Sequence, residues 1–144
     1  MPISIYQANR ILNYEFGSTF YAPSNTYYMG FCTSNLISAS WDGTTLMSYE
    51  PRPSGGDSET NYNRIAIPNN KSYWTVSTGN AIENLNYIIS PKAFVNWDTI
   101  YALFIADAYT NGNMLYYHLL DIPLNVLAGE SVLLYSGDAN VETS

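Results

Sequence analysis

Charge is what this 144-residue chain has least of: Asp, Glu, Lys and Arg make up only 12% of it, about half of the roughly 25% usual in soluble domains. Basic residues are the scarcest, five Lys and Arg against 12 Asp and Glu, for a net charge of -7. Such a chain repels phosphate backbones instead of releasing their counterions, which excludes nucleic acid as a direct partner. Cysteine and histidine occur once each, as Cys32 and His118, so an internal disulfide, a CxxC redox pair and a zinc site of thiolates and imidazoles are out of reach. Cys32 is expected to pack as a small buried apolar residue. No run approaches the roughly 18 apolar residues that cross a bilayer, and the opening Met-Pro-Ile-Ser-Ile-Tyr lacks a basic segment followed by an apolar stretch. No membrane partner is expected, and the chain reads as soluble, unprocessed and made in a cytoplasm.

Apolar residues are plentiful at 47%, and Tyr alone occurs 14 times. A core is therefore affordable, and Asn, Ser, Thr and Tyr replace the missing charge, a composition suited to contact surfaces. The length suits one domain, 1–144. Ile5, Ala8, Ile11, Leu12 and Phe16 recur near a helical period, with Ser4 placed to cap the start and Gly17 to stop the end, so one amphipathic helix is expected over about 3–17. Thr26 to Thr33 is β-branched and aromatic and reads as a strand. Residues 34–61 read as a long ordered loop, because Pro51, Pro53, Gly55 and Gly56 interrupt any regular element. Tyr62 to Ile67 alternates, and further strands are expected at 73–78, 87–90, 99–109, 114–120 and 131–135, with a loose polar tail from Gly137. The hairpin joining 99–109 to 114–120 carries Asn111-Gly112, a pair that tolerates positive φ. Both faces of its first arm are apolar, so something must cover each: the helix on one side, an opposing sheet or another subunit on the other. The expected fold is mostly β, an antiparallel β-sandwich of jelly-roll-like kind with one N-terminal α-helix.

Chemistry is sparse in this pattern. His118 lies between Tyr117 and Leu119 with no nucleophile in a strained elbow nearby, and reads as a packed or hydrogen-bonded residue. Asp107, Asn111 and Asn113 put three oxygen-bearing side chains around one loop, but calcium loops carry more carboxylates and the turn itself explains the Asn-Gly pair. Acidic residues Glu50, Asp57 and Glu59 read as solvated loop positions, and Ser54-Gly55-Gly56-Asp57 lacks the Lys and the helix of a phosphate cradle. No enzyme, metal or cofactor is expected. Tyr27, Tyr28, Trp41, Tyr49 and Tyr73 are candidate partner contacts, since amphipathic rings are enriched at interfaces. Together with Trp74 and Trp97 they are also the pool for a glycan-stacking platform.

Taken in order, Leu12-Asn13-Tyr14-Glu15-Phe16-Gly17, Thr26 to Ser34, Glu50-Pro51, Gly55-Gly56, Tyr62-Asn63-Arg64-Ile65-Ala66-Ile67, Asn69-Asn70, Trp74, Trp97-Asp98, Phe104 to Ala108 and Gly112-Asn113-Met114 resemble a family of small tailed-bacteriophage virion proteins. These include tail-fibre, minor structural and head-decoration (cement) proteins. Its most specific piece is the succession Glu50-Pro51, Gly55-Gly56, Tyr62-x-Arg64, which Arg52-Pro53 and Asp57 to Asn61 lengthen here. The resemblance implies a virion structural protein without activity or cofactor, and marks Glu50, Pro51, Gly55, Gly56, Tyr62, Arg64, Asn70, Trp74, Asn111 and Gly112 as structural positions. In a charge-poor chain Arg64 should find Glu50, either within the chain, pinning the long loop to the sheet, or between subunits, setting their register. The function expected first is capsid decoration, bound to the major capsid protein or other virion proteins as a homo-oligomer, a trimer by preference. The alternative is a tail or tail-fibre component, with a host glycan as a candidate partner.

Overall fold

Ser4 starts the fold in the computed structural model, which describes residues 1–51, 60–77, 79 and 81–142. Its hydroxyl accepts from the Gln7 N–H (3.0 Å), capping helix α1, Ile5–Glu15, and Gly17 at φ 75° turns the chain out of it. Strand β1, Thr26–Cys32, follows, and then a short helix α2, Gly43–Met47, capped by Asp42. The remaining strands are β2 (Ile65–Pro68), β3 (Ala81–Glu83), β4 (Ile88–Ile89), β5 (Ile100–Ala106), β6 (Met114–Leu124), β7 (Leu133–Leu134) and β8 (Asn140–Glu142).

All pairings are antiparallel. A four-stranded open sheet runs in the order β2-β1-β5-β6, and two ribbons, β3·β8 and β4·β7, stand apart from it. Met29 pairs with Ile105 and Phe31 with Leu103, so these four share one sheet face; Gly30 with Phe104 and Cys32 with Ala102 share the other. The first face meets Ile88, Leu134 and Val141 of the ribbons, Ala139 just before β8, and Trp97, Ile100 and Val126 beside them. The second meets Ile37, Leu46 and Trp41, contributed by the long loop and α2. Each fully buried side chain of this size contributes about 1.5–3 kcal/mol, which explains why both faces of β5 are apolar.

The mostly β, antiparallel, sandwich-like architecture with an N-terminal helix is the expected one, but its covering differs. The second face is closed by the chain's own loop, with no need of an opposing sheet or subunit. Helix α1 lies toward the same face as the ribbons, beside β6, where residues 2–4 extend the sheet: Ile3 bridges Tyr116, Ser4 N–H donates to Leu115 O and Tyr117 N–H to Pro2 O. It turns little apolar surface inward. Its one buried residue is Gln7, while Ile5 and Leu12 are exposed.

Several local expectations fail, among them the solvated position read for Glu50, which is buried, and the loop without regular elements over 34–61, which contains α2. The strand expected at 73–78 is a turn around Asn70 to Tyr73 followed by a bridge from Trp74 to Asn84, because Asn70 O accepts from the N–H groups of both Tyr73 and Trp74. The tail expected to be loose is strand β8, held by β3 and by Asn84, whose Oδ1 accepts from Ala139 N–H. His118 is exposed on β6, not packed. It pairs with Leu103 while Cys32 pairs with Ala102, so the lone imidazole and lone thiol belong to opposite faces.

Candidate functional site

Six of the sequence-marked positions converge. Glu50 and Arg64 form an ion pair with both side chains fully buried: Arg64 Nη2 donates to Oε2 at 2.9 Å and Nε to Oε1 at 3.0 Å. That is the two-pronged geometry in which a guanidinium fits a carboxylate. Tyr62 OH donates to the same Oε1 (2.7 Å) and accepts from Phe31 N–H (3.0 Å), so it caps a β1 amide beyond the end of the β1–β2 pairing. Burial, with the Glu50 charge beside it, pushes the Tyr62 phenol well above its usual range. Pro51, next to Glu50, is buried as well. Gly55 and Gly56 lie outside the described residues.

The other end of Arg64 holds the hairpin loop. Nη1 donates to Ala108 O (2.8 Å) and Asn111 O (3.0 Å), and the guanidinium stacks over the Phe104 ring. The loop spans 107–113, longer than expected because β5 ends at Ala106. Asn111 and Gly112 have φ of 51° and 70°, and the Asp107 carboxylate takes both the backbone and side-chain N–H of Asn113. Its oxygens are thus engaged in closing the loop, and no cluster of three or more His, Cys, Asp or Glu suited to a metal occurs among the described residues. Gly43 packs directly on this tip: its N–H donates to Gly112 O, and a Cβ there would lie 1.8 Å from Asn111 O. One buried cation therefore ties the long loop, α2, β2 and the hairpin together. The assembly is structural, its buried charges and donors engaged with one another.

Of the five candidate contact aromatics, the structure brings Trp41 and Tyr49 together and leaves Tyr27, Tyr28 and Tyr73 apart from them. Tyr27 and Tyr28 are adjacent on β1 and so point to opposite sheet faces. Tyr28 packs edge-on against Tyr109, and Trp41 stacks on Tyr49 (5.0 Å between centroids) on the α2 side. Tyr73 is exposed, and Trp97 is buried with its Nε1 donating to Thr60 O. No coplanar glycan platform forms from them.

Trp74 and Tyr27 instead meet residues that sequence reasoning missed. With Gln7, Tyr21, Asn69 and Tyr116 they line a cavity of about 260 Å³ between α1, the sheet and the β3·β8 ribbon, floored by Ile105. Asn70 positions Trp74 through its turn; Asn69 is anchored to Ser24 O by its side-chain amide. Two buried polar atoms of the lining, Gln7 Oε1 and Trp74 Nε1, have no hydrogen-bond partner among the described residues. Leaving such a group unmet costs about 1–3 kcal/mol each. Burial also raises the Tyr27 phenol, partly opposed by Arg10. The available sequence signal was the position of Gln7, on the line joining Ser4 and Ile11, but it indicates only which way the amide points.

A family model described as podophage GP4 fiber I protein gp80 matches residues 2–142. No curated protein matches the chain. The chain belongs to that family, a family of phage virion structural proteins.

Proposed function

We propose that this member of the podophage fiber I family is a structural component of the phage tail or its fibres, assembled from several copies of the chain as a homo-oligomer, with a trimer favoured. The observation that carries the reading is the fiber-family match along residues 2–142. It favours the fibre over capsid decoration, the use expected first from sequence. Partners are then other virion proteins, and the role is mechanical, without catalysis.

A surface suited to contact between copies is the outer face of the β4·β7 ribbon. Ile88 and Leu134 turn inward, while Tyr87, Ile89, Leu133 and Tyr135 are all exposed, the two tyrosines edge-to-face at 5.5 Å. A solvent-facing ribbon ordinarily carries polar side chains there. Between chains that each carry -7, these four uncharged side chains let another copy approach with less repulsion than a charged face would, with the Asp138 carboxylate, which accepts from the Tyr135 N–H, beside them. Burying it contributes roughly 25 cal/mol per Å² before association costs.

Quantitative mass spectrometry of purified virions tests the reading. Copies numbering a small multiple of three or six per particle are expected. A number comparable with the major capsid protein overturns it and returns the chain to the head.

A further inference from the structure

We propose that the outer face of α1 docks on the outer face of the β4·β7 ribbon of a neighbouring copy, so that each chain joins its neighbours through two different surfaces. The inference rests on the homo-oligomer reading above and names what meets the ribbon.

Helix α1 is turned inside out. At 3.6 residues per turn, Ile5, Leu12 and the capping residue Phe16 fall within about 40° of one another, on the side away from Gln7. They are 53%, 54% and 80% exposed, whereas Gln7 is buried. A surface helix ordinarily buries its apolar stripe; here the chain's own core leaves the stripe uncovered.

The ribbon matches it in area. Tyr87, Ile89, Leu133 and Tyr135 are 39–69% exposed. At roughly 200 Å² for an aromatic side chain and roughly 100 Å² for an aliphatic one, the two patches together expose roughly 600 Å² of apolar surface. Apolar surface is a little over half of a typical interface, so a contact centred on them buries roughly 1,100 Å², just above the roughly 1,000 Å² that a specific interface needs. The lengths agree as well: Ile5 to Phe16 covers about 17 Å of helix, and Tyr87 to Lys92 up to about 17 Å of extended chain.

Charge gives the direction. Helix α1 has no acidic residue in its first turn and no basic residue in its last, which ends instead on exposed Glu15. Its dipole therefore goes without compensation from its own side chains at either end. The ribbon is bordered by the exposed Asp138 carboxylate, beside Tyr135, at one end and by exposed Lys92, three residues past Ile89, at the other. Glu130, the further charge there, is turned to the Leu127 N–H (3.3 Å). Laid with its first turn at Asp138 and Glu15 at Lys92, α1 meets opposite charge at both ends. Helix on ribbon is a heterologous contact, the kind that closes into rings of a few copies. Helix on helix or ribbon on ribbon would leave the other patch bare.

Full chains carrying Leu12→Cys and Leu133→Cys are co-expressed, oxidised and read on non-reducing gels and by mass spectrometry. The unaltered chain, whose one thiol at Cys32 is buried, is the blank. The crossed disulfide between the two variants should form at least tenfold above the product of either variant alone. Glu15→Lys should weaken association about two- to fivefold in light scattering, and Lys92→Glu added to it should restore it. Self-linking by Leu12→Cys alone would put helix on helix, and by Leu133→Cys alone ribbon on ribbon; an oligomer without any of these products is joined elsewhere. Each of these results overturns the docking and leaves the homo-oligomer standing. A monomer in light scattering overturns the homo-oligomer and the docking with it, and none of these results alters the virion copy number that tests the fibre reading.

Discussion

Replacing Arg64 by Ala removes a side chain that touches Glu50, Gly43 of α2, the 107–113 loop and Phe104 of β5. The substitution leaves Glu50 as a fully buried carboxylate whose remaining donor among the described residues is Tyr62 OH, and takes a donor from the carbonyls of Ala108 and Asn111. Breaking a buried pair by deleting one partner costs about 3–5 kcal/mol, because the surviving charge has lost its compensation without regaining water. Over 144 residues the unfolding entropy is about 0.3 kcal/mol/K, so the melting temperature should fall by about 10–17 °C. Calorimetry reads this directly, and hydrogen exchange should accelerate first in 107–113 and in α2, the segments whose carbonyls the guanidinium holds. The double variant Glu50→Leu, Arg64→Met should be more stable than Arg64→Ala, since no charge is left stranded. A fall of less than about 3 °C, about 1 kcal/mol, is what an exposed ion pair would give. That result would refute the structural role assigned to the pair.

Gly43→Ala drives a methyl group into the Asn111 carbonyl; backbone cannot yield as a flexible side chain can, so a loss of at least about 1–3 kcal/mol is expected in urea denaturation, and an unchanged midpoint would show the contact to be slack. Burial pushes the Cys32 thiol up to about 11 from 9.0, so the folded state holds its proton more tightly than the unfolded chain. Its contribution to stability is complete below pH 9 and is lost as pH rises from 9 through 11, a slope that Cys32→Ala should remove from the pH dependence of the urea midpoint. The same thiol should react with iodoacetamide far more slowly in the folded than in the denatured protein at pH 8. Tyr87→Glu together with Tyr135→Glu places like charges on the ribbon face proposed to join copies, and light scattering should report smaller particles with melting unchanged; assemblies of unaltered mass would move the interface elsewhere.

Much of this protein is legible from residues that act on their near neighbours. Ser4 and Gly17 bound the helix because a hydroxyl and a left-handed backbone satisfy its ends locally. Apolar, β-branched and aromatic runs mark β1, β5 and the first part of β6. The Glu50–Arg64 pair is foreseeable because a buried guanidinium in a chain with so few charges has few possible partners. What local preference does not contain is which distant segment supplies the other half of a contact. Residues 81–83 become a strand only because 140–142 lie beside them, and 73–77 fail to become one because Asn70 captures the amides of Tyr73 and Trp74. Period-two alternation says that Tyr27 and Tyr28 face opposite ways without saying what each meets. The cavity is the extreme case: Gln7, Tyr27, Trp74 and Tyr116 come from four parts of the chain. Composition and periodicity set the elements and the kind of surface, because both act over a few residues; only the packing of the ribbons and α1 onto one sheet face decided that an amide and an indole would be buried there together without partners.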